Sequence, residues 1–329
     1  MTASDRARTL AVLLLLAGLA AVVVLVARSE LDGILAALAS LGLGGFALIV
    51  VLHVAVILAM GVAWSRLGGL PVLGFIRGRL LRDAASEVLP LSQIGGFVLG
   101  GRALVLAGAS ASRASALTVV DVTAELVAQM LYTIVGLSLL VQLRPQSALA
   151  TPAMAAVAAM LVLTGGFVLV QLRGAAAAVR QVMRLAQMLG VANAGGPDHG
   201  AALQAELSRL HDKAPQLIAC TLWHLACWLL VGVETWLLLR LLGAPVGLGA
   251  ALVIDSLISG LRSVAFMVPQ ALGVQEGGYI MLGALFGFST EAALAMSLVR
   301  RARDLAIGLP VLLIWQVVEG RRHIRRRAV

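Results

Sequence analysis

Two stretches of unusual composition decide the fold, Pro90-Leu-Ser-Gln-Ile-Gly-Gly-Phe-Val-Leu-Gly-Gly-Arg102 and Pro269-Gln-Ala-Leu-Gly-Val-Gln-Glu-Gly-Gly-Tyr279. Each places a proline, a glutamine and a Gly-Gly pair inside an apolar region. Proline removes a backbone donor and glycine weakens a helix, so continuous helix is hard to sustain there. In a membrane, interrupted backbone persists only where protein or a water-filled cavity covers it. Two interruptions at corresponding places of two halves are typical of a transport site.

The composition predicts an all-α polytopic integral membrane protein. Of the 329 residues, 60% are hydrophobic and only 12% are charged, about half the charged share of a soluble domain. Several apolar runs reach about 20 residues, the length that crosses a bilayer. We expect one membrane domain over residues 1–329, with no cleaved signal peptide. The predicted full spans are 10–27, 43–64, 116–141, 152–172, 216–239 and 290–315.

The net charge of +9 comes almost entirely from arginine. No basic stripe interleaved with aromatic residues is present, so we expect no nucleic-acid partner. With the N-terminus and C-terminus in the cytoplasm, most arginines fall on the inner side, as the positive-inside rule requires. We therefore expect a multi-pass protein of the bacterial inner membrane, whose basic loops contact anionic lipid headgroups.

The chain contains two related halves. An Arg-Leu-x-Gly-x-Pro-Val motif occurs at 66–72 and again at 240–246, each time shortly before an interrupted segment. We predict a first half over 43–172, a cytoplasmic helical linker over 173–215 and a second half over 216–320. An odd number of spans separates the halves, so the repeat is expected to be inverted. The interrupted segments, about 83–105 and 247–288, are expected to form re-entrant hairpins, although the second is long enough to cross. The predicted structural breaks are Pro90, Gly95, Gly96, Pro269, Gly273, Gly277 and Gly278.

Ionisable residues lie early in one span of each half. Asp121, Glu125 and Gln129 recur every four residues and share a helix face. Arg300, Arg303 and Asp304 share a face in the second half. Charges inside a membrane cost about 2.5–3.5 kcal/mol each, so they must pair or face water. We expect the two faces to meet and line a translocation cavity; the alternative is that some of them lie at span ends and snorkel. The remaining candidate cavity residues are Gln93, Arg102, Gln275 and Glu276.

Cys220 and Cys227 lie seven residues apart on one apolar helix, with His224 between them. Their Cα atoms would be about 10 Å apart, too far for a disulfide. A metal site would require a carboxylate or another close ligand. We expect packing residues here, no metal and no cofactor.

The two interrupted segments resemble those of a known family. The same family is resembled by two short sequence motifs, at 85–96 (Ala-Ser-Glu-Val-Leu-Pro-Leu-Ser-Gln-Ile-Gly-Gly) and at 121–125 (Asp-Val-Thr-Ala-Glu). The chain is similar to the transmembrane region of the lysylphosphatidylglycerol synthases, and its sequence motifs are closest to those of the hopanoid-biosynthesis-associated branch. The resemblance covers about residues 10–319. It implies a flippase-like protein that moves a hopanoid, a related envelope lipid or an anionic phospholipid between leaflets. The aminoacyl-transferase domain of the synthases is not present in this sequence, so lysine transfer is not carried over.

The sequence therefore predicts a lipid transporter that is not an enzyme, with a membrane lipid as its substrate. Two alternatives stay open: an integral-membrane transferase acting on a lipid-linked substrate, and a secondary transporter of a small solute or ion. The high content of small residues would permit close helix packing and a homodimer.

Overall fold

The computed structural model describes residues 24, 31–88, 92–146, 148, 151–152, 154–167, 169, 198–265 and 268–327. In this part of the chain, every regular element is helical. The first four helices are α1 (Leu31–Ser65), α2 (Val72–Val88), α3 (Ser92–Leu106) and α4 (Ala111–Leu143). They are followed by α5 (Met154–Phe167), α6 (Asp198–His211), α7 (Ala214–Leu241), α8 (Leu248–Val264), α9 (Val274–Phe286) and α10 (Thr290–Arg327).

Among these helices, α1, α4 and α7 are long and apolar enough to cross a membrane. They contain the predicted spans 43–64, 116–141 and 216–239. Gly42, with φ of 58°, kinks α1 between its short first part and the predicted span, since glycine tolerates positive φ. The predicted span 10–27 lies outside the described residues, and α5 covers the described part of the predicted span 152–172. The sixth predicted span lies in α10, which continues well past residue 315 and contains several arginines.

The first interrupted segment is a hairpin of α2 and α3. A Cβ on Gly74 would lie 2.7 Å from Ala107, and one on Gly96 would lie 2.6 Å from the carbonyl oxygen of Arg82, so the two helices run antiparallel at close range. The hairpin begins at Val72, not near residue 83 as predicted. The two helices have 17 and 15 residues, each below the length of a usual span.

The second interrupted segment is built from α8 and α9, with a short 3-10 turn at Pro269–Ala271 between them. Gln270 and Ala271 have positive φ of 56° and 46°, a conformation that is uncommon outside glycine. Gly273, with φ of 80°, precedes the first residue of α9. The predicted break at Pro269 and Gly273 is therefore present in the backbone.

The predicted breaks at the Gly-Gly pairs are wrong. Gly95 and Gly96 lie inside α3, and Gly277 and Gly278 lie inside α9, with helical backbone throughout. Gly96 and Gly278 instead allow close packing, since a Cβ on Gly278 would lie 2.6 Å from Ile258. Pro90 lies outside the described residues.

The same order of elements occurs twice: a long helix, a 17-residue helix, a shorter helix and a second long helix. The halves interlock, because α2 packs against α10 and α8 packs against α4, while α1 packs against α7. Gly308 illustrates the closeness, since a Cβ there would lie 2.5 Å from Val88. The inverted orientation of the halves and the re-entrant insertion of the hairpins stay predictions.

The described part of the predicted linker is α6, which packs on the N-terminal end of α4. Leu203, Leu207 and Leu210 join one buried cluster with Leu117. An ion pair between Arg113 and Glu206, 3.3 Å long, supports the same contact.

Candidate functional site

A motif of the form Arg-x-x-Arg-Asp occurs twice, at 79–83 on α2 and at 300–304 on α10. Positions i, i+3 and i+4 share a helix face, so each motif presents two arginines and one carboxylate to the same neighbours. Each motif organises a buried group of charges. Only the second motif was predicted to belong to the site; the equal spacing of the two motifs was a signal that could have revealed the first.

We call the group around the α2 motif the first charged cluster: Arg79, Arg82, Asp83, Asp121, Glu125 and His224. Arg79 binds Glu125 with two parallel hydrogen bonds, of 2.9 and 2.8 Å, and also donates to Asp83 at 2.9 Å. Arg82 bridges Asp121 at 2.8 Å and Glu125 at 2.5 Å. Two-fold contacts between arginine and carboxylates are the strong form of an ion pair. The cluster therefore links α2 firmly to α4.

His224 attaches the first charged cluster to α7. Its Nε2 lies 2.9 Å from one carboxylate oxygen of Asp121, while Arg82 holds the other. Asp121 and His224 are fully buried. A buried carboxylate is stable only when it is paired and hydrogen-bonded in this way.

The second charged cluster comprises His53, Glu234, Asp255, Arg300, Arg303 and Asp304. Arg300 donates to Asp255 at 2.5 Å and contacts Thr235. Asp255 also accepts from Tyr132 at 3.1 Å and from Thr235 at 2.8 Å, so it has no free oxygen. The contact with Tyr132 joins α8 to α4 of the other half.

The remaining members of the second charged cluster link α10 to α7 and α1. Arg303 pairs with Glu234 and with Asp304, at 2.7 Å for the closer nitrogen. Glu234 also contacts Nδ1 of His53 at 2.9 Å. Both clusters thus contain two arginines, three carboxylates and one histidine.

The expected meeting of Asp121 and Glu125 with Arg300 and Arg303 is wrong. Each set is satisfied by partners on other helices, because α2 supplies arginines to the first set and α7 and α8 supply carboxylates to the second. Arg79 and Arg82 were not among the predicted site residues. Neither was Glu234, whose side chain is only 2% exposed.

The other candidate residues lie at helix contacts. Gln129 donates to the carbonyl oxygen of Ser259 at 2.9 Å and to Ser263 at 2.8 Å, joining α4 to α8. Gln275 donates to Ser297 at 3.1 Å, and Ser297 donates to Glu276 at 2.7 Å. Arg102 pairs with Glu319 at 2.6 Å. Gln93 lies in α3, and its side chain is outside the described part of the structure.

Three side chains have the chemistry of metal ligands: Asp121, Cys220 and His224, with ligand atoms within 4.8 Å of one another. The carboxylate that the sequence alone did not supply is thus present. Two observations oppose a cation here. Arg82 already occupies Asp121, and Nδ1 of His224 has no hydrogen-bond partner, whereas a metal-bound histidine donates its second N–H to an acceptor. The arrangement fits hydrogen bonding better than metal binding.

The structure contains a groove of 530 Å³. It is lined by residues near the start of α1, the connection between α7 and α8, and the connection between α9 and α10. Its lining contains none of the charged-cluster residues, so the clusters are closed to this groove.

These features define a class: a polytopic helical membrane protein with two interlocked halves and two internal clusters of paired charges. The chain matches the family described as the lysylphosphatidylglycerol synthase TM region over residues 9–311, and it belongs to that family. Membership indicates a membrane protein of lipid-related function. No curated protein and no solved structure matches the chain.

Proposed function

We propose that this protein moves a lipid between the two leaflets of a membrane. The observation that carries the proposal is the pair of charged clusters, which place ten arginine and carboxylate side chains inside helices of a lipid-related membrane family. Ionisable residues within membrane helices are expensive and mark substrate or ion pathways by default. Placing twelve charged or titratable groups there would cost more free energy than a role in packing alone explains.

The interlocked hairpins supply the moving parts of the proposed mechanism. The first helix of each hairpin packs against a long helix of the other half, α2 on α10 and α8 on α4. Each charged cluster joins the same hairpin helix to the second long helix of its own half and, through its histidine, to the first long helix of the other half. When one cluster opens, its arginines and carboxylates become available to a polar headgroup, while the lipid tails stay in the bilayer. Alternate opening of the two clusters would expose the headgroup to one side at a time, as rocking of repeats does in other transporters.

For the substrate we propose a hopanoid, a related envelope lipid or an anionic phospholipid, in the inner membrane of a bacterium. The basis is the resemblance of residues 85–96 and 121–125 to the hopanoid-associated branch. The excess of arginine in the predicted inner loops supports cytoplasmic termini.

The proposal is tested with purified protein in vesicles that contain a lipid labelled in one leaflet. Loss of label protection reports movement to the other leaflet. We expect Glu125→Ala and Arg300→Ala to abolish movement, because each opens a cluster irreversibly. The matched control is Arg77→Ala, which removes an exposed arginine of α2, the helix that supplies both arginines of the first charged cluster, and this variant should move lipid at the wild-type rate.

A second variant distinguishes a loss of lipid movement from simple misfolding. Arg300→Gln combined with Asp255→Asn removes both charges of a pair and replaces them with neutral hydrogen-bonding side chains, and so leaves no unpaired charge. It should fold and still fail to move lipid. Full movement in this variant and in Glu125→Ala would contradict the proposal. Mass spectrometry of the lipid decides the transferase alternative, which requires a product of changed mass.

A further inference from the structure

The tips of the two interrupted segments meet. Arg262, near the end of α8, donates through Nη2 to both carboxylate oxygens of Glu87, at 3.1 and 3.0 Å. Gln270, in the second break, donates to the backbone carbonyl of Ser86 at 3.0 Å. Ser86 and Glu87 are consecutive residues at the end of α2. The C-terminal end of α2 therefore contacts the second break directly.

A second arginine joins this place from α10. Arg301 donates through Nε and Nη2 to one oxygen of Glu276, at 3.0 and 2.7 Å. Its guanidinium also reaches the carbonyl oxygen of Gln270 at 3.5 Å. We call the group of Glu87, Arg262, Gln270, Glu276 and Arg301 the tip site.

Exposure separates the tip site from the charged clusters. The side chains of Arg262 and Arg301 are 30% and 24% exposed, whereas those of Arg79, Arg82, Arg300 and Arg303 are 9% exposed or less. A ligand that arrives from outside can therefore contact the tip arginines without first dismantling a charged cluster. The tip site lies where both halves contribute, at the end of both hairpins.

The chemistry of the tip site suits a phosphate. Both arginines hold a carboxylate through more than one contact, and the guanidinium donors that bind carboxylate oxygens also bind phosphate oxygens. Arginine keeps its charge at any pH of interest. The partly exposed Glu87 carboxylate thus occupies a position that oxygens of an anionic ligand would take, whereas Glu276 is buried and is also held by Ser297 and by the backbone N–H of Gly273.

We propose that the tip site binds the phosphate of a lipid headgroup, which replaces Glu87 on Arg262 and adds a contact to the guanidinium of Arg301, while Arg301 stays paired with Glu276. This inference rests on the proposed movement of lipid and names the group that the protein recognises. No covalent bond forms or breaks; the phosphate exchanges for Glu87 on Arg262, and the Glu87 side chain, 28% exposed, turns to water. The bound phosphate would lie beside Gln270, whose left-handed backbone is an uncommon conformation for a residue with a side chain.

Binding is measured by calorimetry on the full-length protein in detergent. The probes are a short-chain phosphatidylglycerol, a short-chain diacylglycerol of equal tail length without phosphate, and inorganic phosphate. We expect the phosphatidylglycerol to bind and the diacylglycerol to bind at least tenfold more weakly. Arg262→Gln and Arg301→Gln should each weaken phosphatidylglycerol binding about tenfold, the loss of one charge-assisted contact. Glu87→Gln should strengthen binding several-fold, because the competing anion loses its charge.

The control variant is Arg113→Gln. Arg113 is 30% exposed and pairs with Glu206 across α4 and α6, so it matches Arg262 in exposure and pairing but lies elsewhere. Its binding should equal that of the wild type. Equal affinity for phosphatidylglycerol and diacylglycerol would overturn the proposal, as would unchanged affinity in both tip arginine variants. Inorganic phosphate binding as tightly as the phospholipid would assign the site to free phosphate and overturn the lipid assignment.

The leaflet assay separates this inference from the proposed function. Suppose that the wild type moves lipid, and that Arg262→Gln and Arg301→Gln bind and move lipid as the wild type does. The tip-site proposal is then wrong, and the proposed function stands. If the phosphatidylglycerol binds as described but the wild type moves no lipid, the tip site stands and the function is wrong.

Discussion

The two charged clusters have the same composition but opposite polarity. Arg79 and Asp255 each lie seven residues after the first residue of a 17-residue helix. In the first cluster that helix supplies the cation and the long helix α4 supplies Asp121 and Glu125. In the second, the short helix supplies the carboxylate and the long helix α10 supplies Arg300. Each cluster receives its histidine from the first long helix of the opposite half, His224 on α7 and His53 on α1.

The difference shows which property both halves share. In a low-dielectric interior an unpaired charge is far more costly than a paired one, while the direction of the pair has little effect on the energy. The two halves therefore keep an ion pair between a hairpin helix and a long helix, with its sign exchanged. A search for identical residues at repeated positions misses this relationship.

The largest expected effect comes from breaking the first charged cluster. Arg82→Ala leaves Asp121 short of a cation in a fully buried position and should destabilise the protein by about 3–5 kcal/mol. Thermal unfolding in detergent measures the loss. Arg77→Ala, an exposed arginine on the same helix, should change stability by less than about 0.5 kcal/mol. Equal stability of the two variants would show that the first cluster is not tightly paired.

The second charged cluster is tested by a double-mutant cycle on Arg300 and Asp255. The double variant should lose less stability than the sum of the losses caused by the single variants Arg300→Gln and Asp255→Asn. Their coupling should be about 1.5–3 kcal/mol, at the upper end for contacting residues. The cycle is measured by the same unfolding assay. Additive effects would mean that the two clusters differ in strength as well as in polarity.

A smaller effect is expected at the first hairpin. Gly96→Ala places a Cβ 2.2 Å from Oγ of Ser86 and 2.6 Å from a backbone oxygen, so the α2–α3 contact must separate. We expect a loss of about 1–3 kcal/mol, the usual result of overpacking. Combining Gly96→Ala with Ser86→Gly should recover little, because the backbone contact remains. A neutral Gly96→Ala would contradict the close approach of the two helices.

The smallest effect is expected at the second hairpin. A Cβ on Gly277 meets nothing within 4 Å, and the backbone is helical there. Gly277→Ala should therefore stabilise the protein by roughly 0.5–1 kcal/mol, the helix preference of alanine over glycine. A higher unfolding temperature checks the prediction. A clear loss of stability would instead show that Gly277 is needed for a backbone conformation other than helix.

The sequence predicted the positions of the helices better than it predicted which helices and side chains contact each other. Hydropathy located the spans in α1, α4 and α7, and Pro269 with Gly273 located the second break. The Gly-Gly pairs were misjudged as breaks, because glycine permits both an interruption and a close helix contact, and local sequence does not distinguish the two. Arg79 and Arg82 were not predicted to be site residues, because α2 is too polar to resemble a membrane helix until its neighbours are known.

The sequence by itself determined the all-helical membrane class, the repeated order of motifs and the family, since length, hydropathy and motif order are local properties of the chain. The tertiary structure alone decided which charges pair, that the hairpin tips meet at Glu87 and Arg262, and that Asp121 lies beside His224. Ion pairing depends on distances between helices that are far apart in sequence, and these distances follow from the packing of all the helices together.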